Sequence, residues 1–391
     1  MIIPLKTWDI KNKWILLRID ANVPLENGII LDDNRLQEIV HTIDYILAKK
    51  GHIILLTHIG RPKDHEESLS TKNLMPWFAK KYGITFAPTL NDIESLKKEN
   101  VSIILLENLR FFTEEKALSL PFAQHLASLA DFYVNDAFGT LHRDHTSITL
   151  LANQFAANKK SMGFLVEKEL TMLNALIYRH MHTSLIILGG AKLETKIPLI
   201  DALIDYTDTL FIGPALSFTF MKSQGISVGK SLVEDHLIDL CRSTITKAAQ
   251  SNCTLLFPQD YLIAQNTVDG QLSYTNEQAI PDNAIGISIG EKTIAQLQKV
   301  IHNARLIFLN GSMGFSEKTE TMEGMKKVLM MLNQSQATTV IAGGDTVSYA
   351  RAQNLLKNIT HISTGGGATI SYLSGKDLPG LTALDYRAKS E

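Results

Sequence analysis

The sequence predicts two doubly wound, parallel-sheet (Rossmann-like) α/β lobes joined by a long helix, and three observations carry that prediction. Short apolar runs alternate with amphipathic helical patterns along most of the chain. Such alternation sets parallel strands side by side with helices on both faces of the sheet. The length of 391 residues exceeds what one hydrophobic core ordinarily serves, so two or three domains are expected. The apolar runs also end in two kinds of cluster, basic and polar groups in the first half and glycines in the second. In a parallel sheet all strand C-termini share one edge, so residues distant in sequence meet there.

The elements follow in order. Trp14-Ile15-Leu16-Leu17 runs into Arg18-Ile19-Asp20-Ala21-Asn22. Leu36, Ile39, Val40, Ile43, Ile46 and Leu47 then recur at helical spacing, after Asp32-Asp33-Asn34 and before Gly51. The run from His52 to Thr57 ends in His58-Ile59-Gly60-Arg61, and that from Val101 to Leu106 in Glu107-Asn108-Leu109-Arg110. Asp131-Phe132-Tyr133-Val134 leads to Asn135-Asp136 and on to His142-Arg143. Leu165, Leu170, Leu173 and Leu176 predict one helix over Phe164–His180, a stiff join between lobes 1–163 and 181–374 that suits hinge motion. In the second half, Ile197 to Tyr206 and Thr293 to Asn303 read as helices. Thr209 to Ile212 and Leu306 to Leu309 read as strands.

Composition excludes several classes. Hydrophobic residues make up 45% and charged residues 20%, with Lys+Arg 38 against Asp+Glu 40. A balanced charge disfavours nucleic acid and acidic membranes as partners, so any cationic site is local. No apolar run approaches the roughly 18–20 residues needed to cross a bilayer. The N-terminal stretch does not read as a secretion signal. Cys241 and Cys253 give no metal spacing and suggest a reducing compartment. A cytoplasmic protein is expected.

Two anion sites are expected at the strand ends. Arg18, Arg35, His58, Arg61, Arg110, His142 and Arg143 form the first. Arginine forks give two parallel, charge-assisted hydrogen bonds to phosphate or carboxylate, so this set suits a small, multiply charged anion. His142 and His145 have the spacing of half a metal site, but Arg143 between them repels a cation. The second site is made of glycines: Gly189-Gly190-Ala191-Lys192, Gly343-Gly344-Asp345-Thr346 and Gly365-Gly366-Gly367. Glycine lets backbone N–H groups approach a phosphate at a helix start. Lys192 and Lys196 are expected on one face of the helix that opens there. Asp345 fits either a helix N-cap or a Mg²⁺ ligand on a nucleotide phosphate. Gly225-Ile226-Ser227-Val228-Gly229-Lys230-Ser231 is one residue short of a P-loop and reads as a loop. No Gly-x-Ser-x-Gly elbow stands after a strand, no dinucleotide fingerprint follows the first strand, and no Cys/His zinc spacing occurs. The machinery is for holding anions, not for activating a nucleophile.

Six segments, in order along nearly the whole chain, resemble the phosphoglycerate kinase family. They are Arg18–Pro24, Thr57–Lys63, Glu107–Phe111, Tyr133–Thr140, Leu188–Lys192 and Ser363–Ala368. The resemblance implies two lobes with a deep cleft, the N-terminal one (1–163 with a returning tail, 375–391) binding 3-phosphoglycerate or 1,3-bisphosphoglycerate. The lobe 181–374 would bind ATP or ADP with Mg²⁺. It implies substrate contacts at Asp20, Asn22, Arg35, His58, Arg61, Arg110 and Arg143. It also implies nucleotide contacts at Gly189, Gly190, Lys192, Lys196, Gly213, Asn310, Glu317, Gly343, Gly344, Asp345 and Thr346. Asp345 would be the metal ligand, and Arg35, Lys192, Gly366 and Gly367 would stabilise the transferring group. A monomer is implied. The acceptor carboxylate is ionised at pH 7, carboxyl pKa values being around 4, so no general base is needed. The family usually has Phe at Ala21, Pro at Ser312 and a Gly-Gly-Gly-Met-Ala-Tyr run at Gly213–Phe218, so nucleotide affinity and base preference are the features these departures would alter. The alternatives are a non-catalytic relative that keeps its ligand or partner surfaces, and a glycosyltransferase with two similar lobes.

Overall fold

The computed structural model describes residues 2–99, 101–178, 183–315 and 317–386. The chain forms two compact units, one holding the stretch to Thr171 and the segment from Lys376, the other Met172–Gly375. The helix expected over Phe164–His180 is observed over Phe164–Tyr178, and the division falls within it. Its expected last residues, 179 and 180, lie outside the described stretches.

The first unit contains β1 (Trp14–Ile19), a short hairpin of β2 (Leu25–Glu26) and β3 (Ile29–Ile30), then β4 (His52–Leu56), β5 (Ile84–Ala87), β6 (Ile103–Leu106), β7 (Phe132–Asp136) and β8 (Lys160–Met162). Six of these form a parallel sheet in the order β5-β6-β4-β1-β7-β8. The chain leaves β1 toward β4 and returns on its other side at β7. The order therefore reverses beside β1, the position where open α/β sheets bind ligands. One face packs Ile15, Leu17, Ile53, Leu55, Ile103 and Leu105 against Leu36, Ile39, Ile43 and Ile46 of the helix Asn34–Ala48. Each such side chain, fully buried, contributes about 1.5–3 kcal/mol of apolar transfer.

The second unit contains β9 (Ser184–Leu188), β10 (Thr209–Ile212), β11 (Thr254–Leu256), β12 (Tyr261–Gln265), β13 (Leu272–Tyr274), β14 (Ala284–Ile289), β15 (Leu306–Asn310), β16 (Thr338–Ala342) and β17 (His361–Ile362). Its parallel sheet runs β11-β10-β9-β15-β16-β17, with the reversal between β9 and β15. Leu185, Ile187, Ile307 and Leu309 pack on Leu297, Ile301, Leu329 and Leu332.

Four features differ from expectation. A three-stranded antiparallel sheet, β13-β12-β14, is added to the second unit. Its strand β13 has three residues and is largely exposed, so it lacks the apolar run that marks a core strand. The β2–β3 hairpin turns at Asn27 (φ 50°) and Gly28 (φ 76°), an Asn-Gly pair of the kind that twists two strands together. The helix after β9 spans Ile197–Leu203, with Lys196 as its N-cap and Pro198 in its first turn. Lys192 lies in the turn before it, so Lys192 and Lys196 do not share a helical face. The helix expected from Thr293 starts earlier, at Glu291.

The stretch after Gly375 packs on the first unit. Lys160, buried in β8, donates to the Ala383 carbonyl (2.8 Å) and pairs with Asp385 (2.9 Å). Gly380 N donates to the Leu141 carbonyl. Residues 387–391 of the expected tail lie outside the described stretches. No described helix is long and apolar enough to cross a membrane.

Candidate functional site

At the first unit's sheet edge, side chains staple three strand ends together. Asn22 Oδ1 accepts from Gly60 N (2.8 Å), and Thr57 Oγ1 from Ala21 N (3.0 Å). Asn108 donates to the Ile59 and Leu69 carbonyls (2.9 and 2.8 Å) and accepts from Arg110 N (3.0 Å). Arg110 also donates to the Gly60 carbonyl. Arg35, from the helix Asn34–Ala48, donates to Asp20 Oδ2 at 2.7 Å.

The electrostatics show which of these groups share a space. Burial and the neighbouring guanidiniums of Arg143, Arg18 and Arg61 pull Arg110 down to about 10. Burial, Arg61, Arg18 and Arg35 lower Arg143 as well, against the pull of Asp20. His58 lies well below its ordinary value, through burial and then Arg18, Arg110, Arg143 and Arg35. His145 is pulled down to about 4 by burial and by Arg110, Arg18, Arg143 and Lys116. Charges that depress one another in this way are crowded. A bound anion relieves that repulsion, which a surface scatter of arginines would not feel. The same crowding disfavours a metal at His142 and His145. Among the described residues the one grouping of metal-binding type is Glu194, Glu234 and His236, in the second unit.

Arg18 departs from the expected anion-contacting set. It lies inside β1, only 1% exposed, and its donors are engaged by protein. Nε donates to Ser147 Oγ (3.0 Å), one terminal nitrogen to the Ile19 carbonyl, and the other reaches His58 Nδ1 at 3.4 Å. Arginine only donates, so Nδ1 accepts and the neutral His58 ring carries its proton on Nε2. Beneath Arg18 stands Glu115, also 1% exposed, which accepts from Ser147 Oγ (2.7 Å) and Ser147 N (2.9 Å). Burial raises the Glu115 carboxyl, while Arg18 and Ser147 lower it. Tyr133 OH donates to the Ser147 carbonyl and accepts from Asn135. Sequence reasoning missed Glu115 and Ser147. Thr113-Glu114-Glu115-Lys116 has the composition of a solvated helix start, and nothing local marks its second glutamate as buried.

The second unit's edge is made of backbone. Gly189 N donates to the Asn310 carbonyl (2.8 Å) and Gly190 N to that of Ser312 (3.0 Å). A Cβ on Gly189 would stand 2.3 Å from the Ser312 carbonyl oxygen, so only glycine permits this approach. Gly190 has φ 108° and Gly343, the N-cap of the helix Gly344–Ala352, φ 98°, both in the left-handed region. Ser312 is used here through its carbonyl, which a proline would equally supply. Lys196 donates to Asn310 Oδ1, and burial pulls its amine down to about 8. No described carboxylate pairs with it. Lys192 is exposed and likewise unpaired. Asp345 is exposed in the first turn of Gly344–Ala352 and not its cap. The neighbouring Thr346 hydroxyl is buried without a hydrogen-bond partner. An orphaned hydroxyl, an exposed carboxylate and a desolvated amine fit a phosphate with its cation. Gly366 (φ 51°) caps the short helix Gly367–Leu373, where Ser363 and Thr369 share a hydrogen bond. Gly213 N donates to the Leu188 carbonyl, and Pro214, buried, starts the helix Pro214–Ser223. Glu317 is exposed in a turn and makes no bond to these groups among the described residues.

Parallel-sheet units whose strand ends gather cationic side chains in one and open amides in the other define an α/β protein of the phosphate-handling class. The phosphoglycerate kinase family model matches residues 5–376. The Clostridium tetani phosphoglycerate kinase is 39% identical over 390 residues, 96% of each chain. The cytosolic phosphoglycerate kinase 3 of Arabidopsis thaliana is 38% identical, over 97% of each. The solved phosphoglycerate kinase structure from Coxiella burnetii superposes with a TM-score of 0.88 at 29% identity, covering 98% of each chain. That from Pyrococcus horikoshii gives 0.81 at 26% identity, over 97% of this chain and 98% of its own. The chain belongs to the phosphoglycerate kinase family.

Proposed function

We propose that the chain moves the γ-phosphoryl group of ATP onto the carboxylate of 3-phosphoglycerate, giving 1,3-bisphosphoglycerate and ADP, and catalyses the reverse. The observation that carries this reading is the contrast between two anion cradles on two sheets, with no nucleophile–base pair at either among the described residues. The carboxylate oxygen attacks phosphorus as the bond to the ADP oxygen breaks, and no proton has to be removed first.

The acid is held in the first unit. Arg61, Arg110 and Arg143 neutralise its phosphate, His58 donates through Nε2–H, and Asp20 and Asn22 orient its hydroxyl and carboxylate end. Arg35, tethered by Asp20, reaches toward the transferring group. The second unit holds the nucleotide. The helix-start amides that follow Gly343 and Gly344, beside the turns at Gly190 and Gly213 whose own N–H groups are spent on carbonyls, take its phosphates with Lys196, Asn310 and Thr346, and Glu317 takes its ribose. Asp345 is the ligand proposed for Mg²⁺, which when bound supplies charge neutralisation on those phosphates. Lys192 and the helix start at Gly366 and Gly367 face the charge that develops on the transferring phosphoryl. Transfer requires the two ligands to meet in line with water excluded, and hinge bending about the Phe164–Tyr178 helix is the motion proposed for it. A cytoplasmic monomer fits the cytosolic relatives.

A coupled 3-phosphoglycerate/ATP assay tests the reading, repeated with GTP to test Pro214 and Ala215 as walls of the base pocket. Turnover with ATP that requires Mg²⁺ and 3-phosphoglycerate is the expected result. A protein that binds both ligands and turns over neither would overturn it.

A further inference from the structure

The turn that carries Lys192 is held by a residue 42 positions away. Glu234 Oε1 accepts from Leu193 N at 2.6 Å, and its Oε2 accepts from Glu194 N at 3.1 Å. Its own N–H donates to Thr219 Oγ1 (3.1 Å), a buried hydroxyl in the helix Pro214–Ser223. One residue thus ties the loop after β9, through its carboxylate, to the helix after β10, through its backbone N–H.

The rest of that loop shows why the tie matters. At its start the loop is pinned by Gly189 N and Gly190 N to the carbonyls of Asn310 and Ser312. At its end Lys196 N and Ile197 N both donate to the Leu193 carbonyl. Leu193 is fully buried, whereas Ala191, Lys192, Glu194 and Thr195 are exposed. Lys192 therefore rides on a short exposed stretch whose free amides would otherwise face water. A carboxylate accepting two successive N–H groups is the strong form of such a bond. It also removes those two amides from the set that could take nucleotide phosphate.

We propose that Glu234 is a positioning residue: by clamping the Leu193 and Glu194 amides it fixes the turn from which Lys192 reaches the transferring phosphoryl group. The proposal rests on the role assigned above to Lys192. Both Glu234 oxygens are spent on backbone amides, so its effect is expected on turnover and not on ground-state binding. The nearby Glu194 and His236 complete a cluster of metal-ligating type. Both Glu234 oxygens are committed to backbone amides, so the clamp accounts for it without a cation.

The test is a double-mutant cycle on the full chain with Lys192→Ala and Glu234→Ala, reading kcat, the KM for 3-phosphoglycerate and calorimetric Mg-ADP affinity. A reactive group misplaced by about 1 Å costs up to about 10²-fold in rate, so Glu234→Ala is expected to lower kcat at least tenfold. KM and Mg-ADP affinity should stay within twofold, and Glu234→Gln, which keeps one acceptor, should recover part of the loss. In the Lys192→Ala background Glu234→Ala should cost nothing further, because residues acting as a unit are not additive. Unchanged kcat in Glu234→Ala overturns the proposal, as do two losses that simply multiply. If Glu234→Ala does not fold, Glu234→Gln in the same cycle decides it. Normal turnover in Lys192→Ala alone would overturn the role of Lys192 itself, a separate failure.

Discussion

The two sheet edges meet anions by opposite means. At the edge beside β1, guanidiniums and an imidazole crowd until they depress one another's proton affinity, with the Asp20 carboxylate facing them and Glu115 buried beneath. At the edge beside β9, the backbone is brought close by glycine, and the half-buried Lys196 is held by an amide oxygen, not a carboxylate. Side-chain cations suit a small ligand whose charge must be matched from several directions. A backbone cradle presents many weak donors in a fixed array and suits a polyphosphate that brings its own metal ion. The first design sets its cations against one another; the second relies on the left-handed backbone at Gly190 and Gly343.

Five substitutions sharpen or break that contrast, in descending order of effect. Lys192→Ala and Arg35→Ala should each lower kcat on the order of 10²-fold or more, the usual loss for one donor aimed at developing charge. Near-parent turnover in a steady-state assay would remove both from the mechanism. Arg18→Ala should act on stability first. It strips the donors from Ser147 Oγ and the Ile19 carbonyl and removes the guanidinium whose field lowers the buried Glu115 carboxyl, and each buried group left without its partner costs about 1–3 kcal/mol. Urea unfolding should show the first unit's midpoint falling, while Mg-ADP binding by the folded protein holds.

Lys196 should make nucleotide binding pH-dependent. Burial holds its amine at about 8 in the free protein, and an anionic phosphate favours the protonated form. ADP affinity should therefore be highest below pH 8 and fall as pH rises through it, with proton uptake on binding near pH 8. Calorimetry in buffers of different ionisation enthalpy measures that uptake, and Lys196→Met should abolish it. The smallest effect belongs to Ser312→Pro. The Ser312 carbonyl accepts from Gly190 N in either residue, so KM for ADP should change by less than about twofold.

The contrast itself was legible in the sequence, because strand C-termini are easy to locate and glycine and arginine declare themselves there. Sheet type and most strand ends followed from periodicity. What escaped were features set by tertiary contact. Arg18 reads as a site cation, and only its burial in β1 shows that its donors are engaged behind the site. Glu115 and Glu234 read as surface acids, since nothing local distinguishes a glutamate that clamps a buried amide from one in water. Lys192 and Lys196 have helical spacing, yet Pro198 and the Leu193 anchor delay the helix until Ile197. The β12–β14 sheet was missed because β13 is short and exposed, and the buried strands β12 and β14 pair antiparallel through contacts distant in sequence.

The division of labour between the two edges is tested most directly by calorimetry on Arg61→Ala with both ligands. Arg61 is exposed and bonded to no described residue, so its removal should leave the fold intact. Affinity for 3-phosphoglycerate is predicted to fall tenfold or more, since a charge-assisted bond is worth about 1.5–3 kcal/mol, while Mg-ADP affinity stays unchanged. Unaltered 3-phosphoglycerate binding, or a parallel loss of both ligands, would contradict the account.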